Sequence, residues 1–540
     1  MKTLSAIVHQ RDRSILERIK EVGKESIRVL ATAVGMSIGK VQRGLKAIAR
    51  RNQHPESSFW ESQEGSKWLV LMILAVLYEF GIKGGQGAGR ISSFLKRIHL
   101  EEQVGISPTS LRKLLNEMEA LMSEYQKLQE SQVSNPQEVV GSADETFDGD
   151  RIILVMLDLI SGYIFVEEEA ADRSYDTWIE RVKARLEPLK IQVRHFISDR
   201  GKSLIKLALS GLKCAAGADL FHAQYDLSKW VGFGFFRKTA QTNMQVKKAQ
   251  EVVEALSIQV ASEAELLEKK RLLDQALSEQ RKLEEGKQEY QQLQQDVSVS
   301  LHAFVAKTSV AQTSTQAQER LQELNGQLSQ LAQTHEIPDS KGISKKFSHQ
   351  ISDLCSILDV WWLWAKESLG GKGLDEKTLE GLLYGMLPVV YWDHQSQKTK
   401  NPSLKEVYHN AWTTALSHWQ NHPLSQSLSA MELQAYLSWA NWICSKFHRA
   451  SSAVEGRNGC LSQMVHNGRG LTSTRLKALT VIHNFDSRRS DGSTAAERLF
   501  GRSFPDLFTW LVEQMGDLPL PRKSQKRVFS NQLNLQSVSG

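Results

Sequence analysis

The stretch GSADETFDGDRIILVMLDLISGYIFVEEE, residues 141–169, decides the fold of this chain. Three short runs rich in β-branched and apolar residues are separated there by turn residues, which predicts a three-stranded meander. A helical pattern follows in SYDTWIERVKARLEPL (174–189), and a further strand, VRHFISDRG, leads to Asp199. The three runs of the meander lie around 143–147, 152–158 and 163–168.

Two aspartates occupy related places in this pattern. Asp144 is in the first strand and Asp199 ends the fourth, and the order β-β-β-α-β is the skeleton of the ribonuclease H-like fold. In that fold the two central strands are adjacent, so the two carboxylates would be neighbours, and such oxygen donors suit Mg²⁺ rather than zinc. Asp158, in the second strand, is an alternative first ligand. A fifth strand ending near Phe221, just before His222, would complete one mixed sheet.

Four motifs together resemble the DDE-type transposases of bacterial insertion sequences. They are ADETF with Asp144, ISDRG with Asp199, ADLFHAQYDLSKWVG (218–232), and SSAVEGRNGCLSQMVHNGRGLTSTRLKALTVIHNF (451–485) with Glu455. The resemblance covers 141–230 and roughly 448–500. It implies that Asp144, Asp199 and Glu455 are the catalytic residues, with His222 as a neighbour of the site.

The activity implied by this resemblance is metal-dependent cleavage at transposon ends, followed by transfer of the freed 3′-hydroxyl into target DNA. Two Mg²⁺ ions, for which Mn²⁺ can substitute, would be held by the three carboxylates. The implied partners are double-stranded DNA, as transposon ends and target, and further copies of the chain in a homodimer or larger synaptic assembly. The alternative is a catalytically retired transposase that acts as a DNA-binding regulatory protein.

Glu455 has a competing interpretation. It follows Ser452 by three residues, the spacing of a capping box, in which the carboxylate folds back on its own helix end. The resemblance favours a metal ligand, because EGRN recurs in the family as the third acidic motif. Arg457 and Asn458 follow directly and are expected to contact the phosphodiester, with plain surface charge as the alternative.

Charge is unevenly distributed along the chain. The net charge is +6, whereas residues 1–55 contain twelve Lys/Arg against four Asp/Glu, a net +8, which leaves −2 for the rest. A basic N-terminal segment is expected to bind phosphates.

Four dispersed cysteines without a C-x-x-C pair argue against a disulfide framework and a zinc finger. No signal peptide and no apolar run long enough to span a bilayer are evident, so we expect a cytoplasmic, nucleoid-associated protein without a membrane partner.

The basic segment contains a candidate helix-turn-helix within 14–51. In ESIRVLATAVGMSIGKVQRGLKAIARR (25–51), Ala31 is small where two helices would cross, Gly35 permits a tight turn, and Val41 would pack the second helix back. That second helix has no acidic residue and is expected to bind DNA; the alternative is a helical hairpin with a solvated basic face. Its expected DNA contacts are Lys40, Arg43, Lys46, Arg50 and Arg51.

The remaining organisation follows from periodicity. An approximate heptad in 272–297 indicates an antiparallel helical arm, with a dimeric coiled coil as the alternative, and breaks are expected at 308–318 and 337–343. Tryptophans from 361 to 442 could stack on DNA bases, but their helical spacing favours a helical core.

From these patterns together we expect the chain to divide into six segments. They are a helix-turn-helix domain (1–60), a second helical domain with a helix-turn-helix as one interpretation (61–135), a ribonuclease H-like core (136–229), an all-helical insertion (230–447), the rest of the core (448–515) and a basic disordered tail (516–540).

Overall fold

The structure, a computed structural model, describes most of the chain. The described residues are 7–51, 54, 56–60, 62–258, 262–516, 518 and 519, without the side chains of 7–11, 51, 58 and 63. The expected DNA contact of Arg51 and nearly all of the expected C-terminal tail lie outside this description. The chain forms two compact units, of which the first comprises Met1–Gln132, Leu461–Glu497 and Arg502–Gly540, and the second Val133–Cys460 and Arg498–Gly501. Much of 448–515, expected in the core, thus belongs to the first unit.

The N-terminal part of the first unit is helical. A buried cluster of Ile15, Leu30, Ala31, Val41 and Ile48 joins its first three helices, and Gly35 has a φ of +63° in the turn between the second and third. The packing roles predicted for Ala31, Gly35 and Val41 are confirmed. The helices here are α1 (Ile7–Val22), α2 (Ile27–Ala33), α3 (Ile38–Arg51), α4 (Ser57–Trp60), α5 (Gln63–Val76), α6 (Ala88–Arg97) and α7 (Pro108–Ser131).

Helix α5 continues into a π-helical turn, Leu77–Lys83. Among the described residues, the helical stretch Glu64–Lys83 has the length and apolar composition that could cross a membrane. However, 56% of it is buried inside the protein. More than half of this stretch is therefore packed inside the protein.

The second unit begins with one mixed five-stranded sheet, as predicted, in the order β3-β2-β1-β4-β5. β1 pairs antiparallel with β2 and parallel with β4. Strand β5 is shorter than expected, because Asp219 caps a helix by accepting a 2.8 Å hydrogen bond from the Phe221 amide. His222 therefore lies on the first turn of a helix. The elements are β1 (Gln137–Asp148), β2 (Arg151–Asp158), β3 (Ile164–Ala170), α8 (Tyr175–Leu186), β4 (Ile191–Ser198), α9 (Lys202–Lys206), β5 (Ala215–Ala218) and α10 (Leu220–Leu227).

The insertion is helical as predicted. Between 230 and 447, the described residues contain no strand, and their one bridge pair joins Phe304 to Ala311. The helices are α11 (Phe233–Ile258), α12 (Glu263–Ser300), α13 (Ser314–Thr334), α14 (Ile343–Gly370), α15 (Glu376–Glu380), α16 (Leu387–Lys398), α17 (Pro402–Gln420), α18 (Pro423–Ser427) and α19 (Ala430–Ser445). Four further helices follow: α20 (Ser452–Val465), α21 (Ser473–Phe485), α22 (Ala495–Phe500) and α23 (Leu507–Gln514).

Helices α11 and α12 pair antiparallel in an arm; the breaks predicted at 308–318 and 337–343 overlap the connections from α12 to α13 and from α13 to α14, whereas no break was predicted between α11 and α12. Gln280 Nε2 donates to Asn243 Oδ1 at 2.7 Å, and further towards the sheet Gly232 faces the Tyr290 ring. Gly286 interrupts the heptad because a Cβ there would lie 2.4 Å from His335 Nε2. Most of the insertion's tryptophans are buried, which confirms their predicted role as core residues rather than exposed platforms. The buried ones are Trp361, Trp364, Trp392, Trp419 and Trp439.

Candidate active site

The central strands bring the two predicted aspartates to one edge of the sheet. In the parallel ladder between β1 and β4, Ser142 pairs with Ile197. Asp144 lies two residues beyond Ser142, where β1 still pairs with β2, and Asp199 lies two residues beyond Ile197. Strand β4 ends at Ser198, so Asp199 opens the loop that follows. The register therefore brings Asp144 close to Asp199, and the two carboxylates interact electrostatically.

The loop after β4 has an unusual backbone that orients Asp199. Arg200 has a φ of +70°, a region that non-glycine residues rarely adopt. Its guanidinium is held by Asp353 of α14 at 2.8 Å. The Gly201 amide donates to Asp199 Oδ1 at 2.8 Å, which leaves the other carboxylate oxygen for a ligand. The turn thus presents an exposed carboxylate from a constrained backbone.

Helix α20 brings Glu455 to the same place. Arg457 makes two hydrogen bonds of 2.6 Å to the carboxylate of Glu167 on β3, and both side chains are buried. Asn458 Nδ2 donates to Asp144 Oδ2 at 2.8 Å. These contacts fasten the first turns of α20 to strands β3 and β1, with Glu455 on the same helix face as Asn458. Arg457 and Asn458, predicted to contact the phosphodiester, instead attach the helix to the sheet.

Glu455 does not form the alternative capping box. Its helix begins at Ser452, and the preceding Ser451 donates its hydroxyl to Asp219 Oδ2. Glu455 Oε1 lies 3.5 Å from His222 Nε2, and His222 Nδ1 bonds to Asp219 Oδ2 at 2.9 Å. The hydrogen bond that His222 donates to Asp219 raises the pKa of His222, and the charges of Glu455 and Asp199 act in the same direction. The predicted site neighbour thus links a buried aspartate to Glu455.

The electrostatics of Asp144 show that the three carboxylates share one environment. Burial raises the pKa of Asp144 to about 6, and the charges of Glu455 and Asp199 add to the increase. Burial also raises the pKa of the adjacent Glu145, whose Oε1 accepts from Trp178 Nε1 at 3.3 Å. Such accumulated negative charge in a partly buried place stabilises a bound cation.

Asp158, the alternative first ligand, has a structural role. It is fully buried and accepts hydrogen bonds from the Val140 amide at 3.2 Å and from the amide and hydroxyl of Ser161 at 2.8 and 2.6 Å. These bonds fasten the turn between β2 and β3 to β1. Its oxygens are therefore engaged within the protein.

Sequence reasoning missed the supporting residues Asp219, Ser451 and Glu167. Asp219 had a usable signal, because it precedes His222 by three residues before a helix. Ser451 and Glu167 had no such signal, since only tertiary contact gives them partners.

A different cluster, which the sequence did not predict, lies in the first unit, where the donor atoms of His54, Glu56 and His99 all lie within 4.8 Å of one another. Within the described part of the chain no other three His, Cys, Asp or Glu side chains have ligand atoms this close together. The carboxylate oxygens of Asp144, Asp199 and Glu455 are therefore more widely spaced than the donor atoms of this cluster.

The predicted DNA contacts on α3 form a separate basic face in the first unit. Lys40, Arg43, Lys46 and Arg50 are all exposed and recur every three or four residues. The opposite face of α3 is buried through Val41 and Ile48. The helix is therefore free to present its four described cations to a partner.

Comparison with known proteins adds one match. Residues 382–527 match DUF6399, described as a family of unknown function. This segment begins within the insertion, includes the Glu455 helix and extends past α23. No curated protein matches the chain. The chain is thus similar, over these residues, to a family whose function is not known.

Proposed function

We propose that the protein is a DDE-type DNA transposase with a ribonuclease H-like core. The observation that supports this most strongly is the convergence of Asp144, Asp199 and Glu455. Asp144 lies within the central strand β1, Asp199 directly follows the neighbouring strand β4, and Glu455 returns on a helix after an insertion of more than two hundred residues. A chain that preserved only DNA binding would have no need to bring three carboxylates together.

The donor set at this site fits magnesium. Oxygen ligands are what Mg²⁺ requires, and the three side chains offer only oxygens. Buried Asn458 Oδ1 has no hydrogen-bond partner among the described residues, so one more oxygen beside Asp144 is unsatisfied. Asp144, Asp199 and Glu455 would hold the metal, which would supply electrostatic stabilisation of the attacking and leaving oxygens of the phosphodiester.

The chain's own residues would perform the supporting tasks. Arg457 and Asn458 keep Glu455 facing the two aspartates. The backbone turn at Arg200 keeps the carboxylate of Asp199 exposed to solvent. His222, oriented by Asp219, restrains Glu455 before DNA arrives. No covalent intermediate on the protein is required, so no serine or tyrosine nucleophile is assigned.

Recognition of transposon ends is assigned to the N-terminal helices, acting as a helix-turn-helix. The exposed cations of α3 and the absence of acidic residues on that helix support insertion into a DNA groove. Synapsis of two ends would require at least two copies of the chain. The protein would then act on DNA in the cytoplasm, at the nucleoid.

The test is a cleavage assay with purified protein, Mg²⁺ and DNA carrying the element's own ends. Asp199→Asn removes one charge from the site and leaves α3 intact, so end binding should persist while strand cleavage falls below detection. Asp176→Asn, an exposed aspartate on α8, is the matched control and should cleave normally. End binding without cleavage by the unmodified protein would instead support the regulatory DNA-binding alternative. Normal cleavage by the Asp199→Asn variant would overturn the site assignment.

A further inference from the structure

A row of exposed aromatic and basic side chains follows one continuous helical stretch that begins beside the acidic site. Helix α10, the π-helical turn Ser228–Gly232 and helix α11 succeed one another without a break. Exposed residues recur every three or four positions, so they share one face. This aromatic stripe consists of Phe221 (51% exposed), Tyr225 (48%), Lys229, Phe233 (54%), Phe236 (68%) and Arg237.

The stripe is not needed for the packing of its own helix. The opposite face already fills the core through Leu227, Trp230, Val231 and Phe235, which are all buried. Four large rings in water along one line form an apolar surface of the kind that marks an interaction site. The rings are also arranged in near-parallel pairs. Phe221 and Tyr225 lie 6.2 Å apart at 9°, and Phe233 and Phe236 lie 6.1 Å apart at 18°.

Cations are placed directly over these rings. Lys229 Nζ lies 4.1 Å from the centre of the Tyr225 ring, and Arg237 Cζ lies 5.3 Å from that of Phe233. The one acidic residue between 220 and 244, Asp226, is paired with Lys346. The surface therefore combines flat apolar rings with unopposed positive charge. Stacking platforms interleaved with cations are what unpaired nucleotides require, since bases stack and phosphates need counter-charges.

The neighbourhood of the stripe supports the same ligand chemistry. Between α11 and α12 lies a cavity of about 420 Å³, bordered by Phe236 and by the polar side chains of Asn243, Gln291 and Gln294. Amide side chains can hydrogen-bond the edges of bases. At the other end, the Phe221 ring lies 5.7 Å from that of His222, whose Nε2 lies 3.5 Å from Glu455. The distance along the helix from Phe221 to Phe236 is about 22 Å, at 1.5 Å per residue.

We propose that the aromatic stripe binds single-stranded DNA and holds the unpaired nucleotides of a strand whose phosphodiester lies at the acidic site. The proposal rests on the proposed function for the identity of that strand. The binding itself requires neither metal nor cleavage. In this proposal the base of the helical arm guides one DNA strand and does not recognise a duplex sequence.

The test uses the full chain and a fluorescein-labelled oligothymidine of about twelve nucleotides, with binding followed by anisotropy in EDTA. Phe233→Ala with Phe236→Ala should weaken binding by about tenfold or more, because each lost stack on a base has an effect of that order. The matched control is Tyr384→Ala with Leu363→Ala, two exposed apolar residues elsewhere in the insertion, and should bind normally. To remove binding by α3, all variants also carry Arg43→Ala and Lys46→Ala.

Two further variants separate stacking from general hydrophobic contact. Phe233→Trp with Phe236→Trp should keep the affinity, whereas the corresponding leucine pair, apolar but unable to stack, should lose it as the alanine pair does. Lys229→Ala with Arg237→Ala should reduce the salt dependence of oligothymidine binding. The slope of log affinity against log salt should fall by about 0.7 for each lost phosphate contact.

Unchanged oligothymidine binding by the alanine pair would overturn the proposal. A leucine pair that binds oligothymidine normally would overturn the assignment of stacking to these rings, and a stripe variant that alters only the oligomeric state would show a protein contact instead. If stripe variants lose binding while the unmodified chain never cleaves end DNA, the proposed function fails and this inference stands.

Discussion

Asn458 Nδ2 donates a 2.8 Å hydrogen bond to Asp144 Oδ2, so helix α20 is fastened to strand β1 at one of the three site carboxylates. This contact sets where Glu455 lies, because Glu455 and Asn458 are one turn apart on the same helix. The hydrogen bond also aims one carboxylate oxygen of Asp144 at the amide and leaves the other for a ligand. Asn458 is therefore a positioning residue for the proposed metal site.

Replacing Asn458 with alanine should lower metal-dependent cleavage. Outer partners of metal ligands typically contribute 10- to 100-fold in metal affinity or activity, and a loss of that order is expected here. A higher Mg²⁺ concentration should recover part of the activity, since the defect lies in holding the ligand. The measurement is the Mg²⁺ dependence of end cleavage. Asn441→Ala, an exposed asparagine on α19, is the control, and equal Mg²⁺ dependence of the two variants would contradict the assigned role.

The raised pKa of Asp144 predicts how stability depends on pH. With a folded pKa of about 6 against an ordinary value of 3.8, the native state binds the proton more tightly than the unfolded state. Asp144 therefore destabilises the fold at neutral pH, and this penalty disappears as the pH falls from about 6 to 4. In EDTA, Asp144→Asn should be more stable than the unmodified protein by about 1 kcal/mol at pH 7.5, the value being reduced for partial solvent exposure. The two should converge near pH 4, as followed by urea unfolding; a constant difference at every pH would contradict the shift.

The buried pair of Arg457 and Glu167 should behave as a structural ion pair. Removing one partner leaves an uncompensated buried charge, so Glu167→Gln or Arg457→Met should each destabilise the second unit by about 3 to 5 kcal/mol. Replacing both together with leucine and methionine should recover most of that loss. A double-mutant cycle by urea unfolding measures the coupling. If Arg457→Met left stability unchanged and instead reduced the salt dependence of DNA binding, Arg457 would be a phosphate contact after all.

Neutralising Arg43 and Lys46 on α3 should weaken end binding and reduce its salt dependence. Each lost contact to a duplex phosphate should lower the slope of log affinity against log salt by about 0.9. Lys20→Ala with Lys24→Ala, two exposed lysines outside α3, should keep the original slope. Binding is measured at several salt concentrations on end DNA. Identical slopes for both pairs would remove α3 from the recognition surface.

Much of the local structure could be predicted from the chain itself. Alternating apolar runs predicted the strands, and turn residues predicted their limits, because these patterns act within a few residues. The burial of Ala31 and Val41 and the positive φ at Gly35 followed from residue size and backbone freedom. The exception was strand β5, which was placed too late because the helix cap Asp219 is followed directly by the apolar Leu220 and Phe221, which continue a strand pattern as well as they begin a helix.

The composition of the site was decided by tertiary structure. The sequence by itself made Asp144, Asp199 and Glu455 candidates, through the motifs that contain them and the order of these motifs along the chain. Only the folded chain decided that Arg457 is a buried partner of Glu167, that Asp158 is engaged at a turn, and that Ser451 rather than Ser452 precedes the helix. The physical reason is that burial and hydrogen-bond partners depend on contacts between residues hundreds of positions apart, and neither residue type nor spacing encodes which charged side chain will find a buried partner.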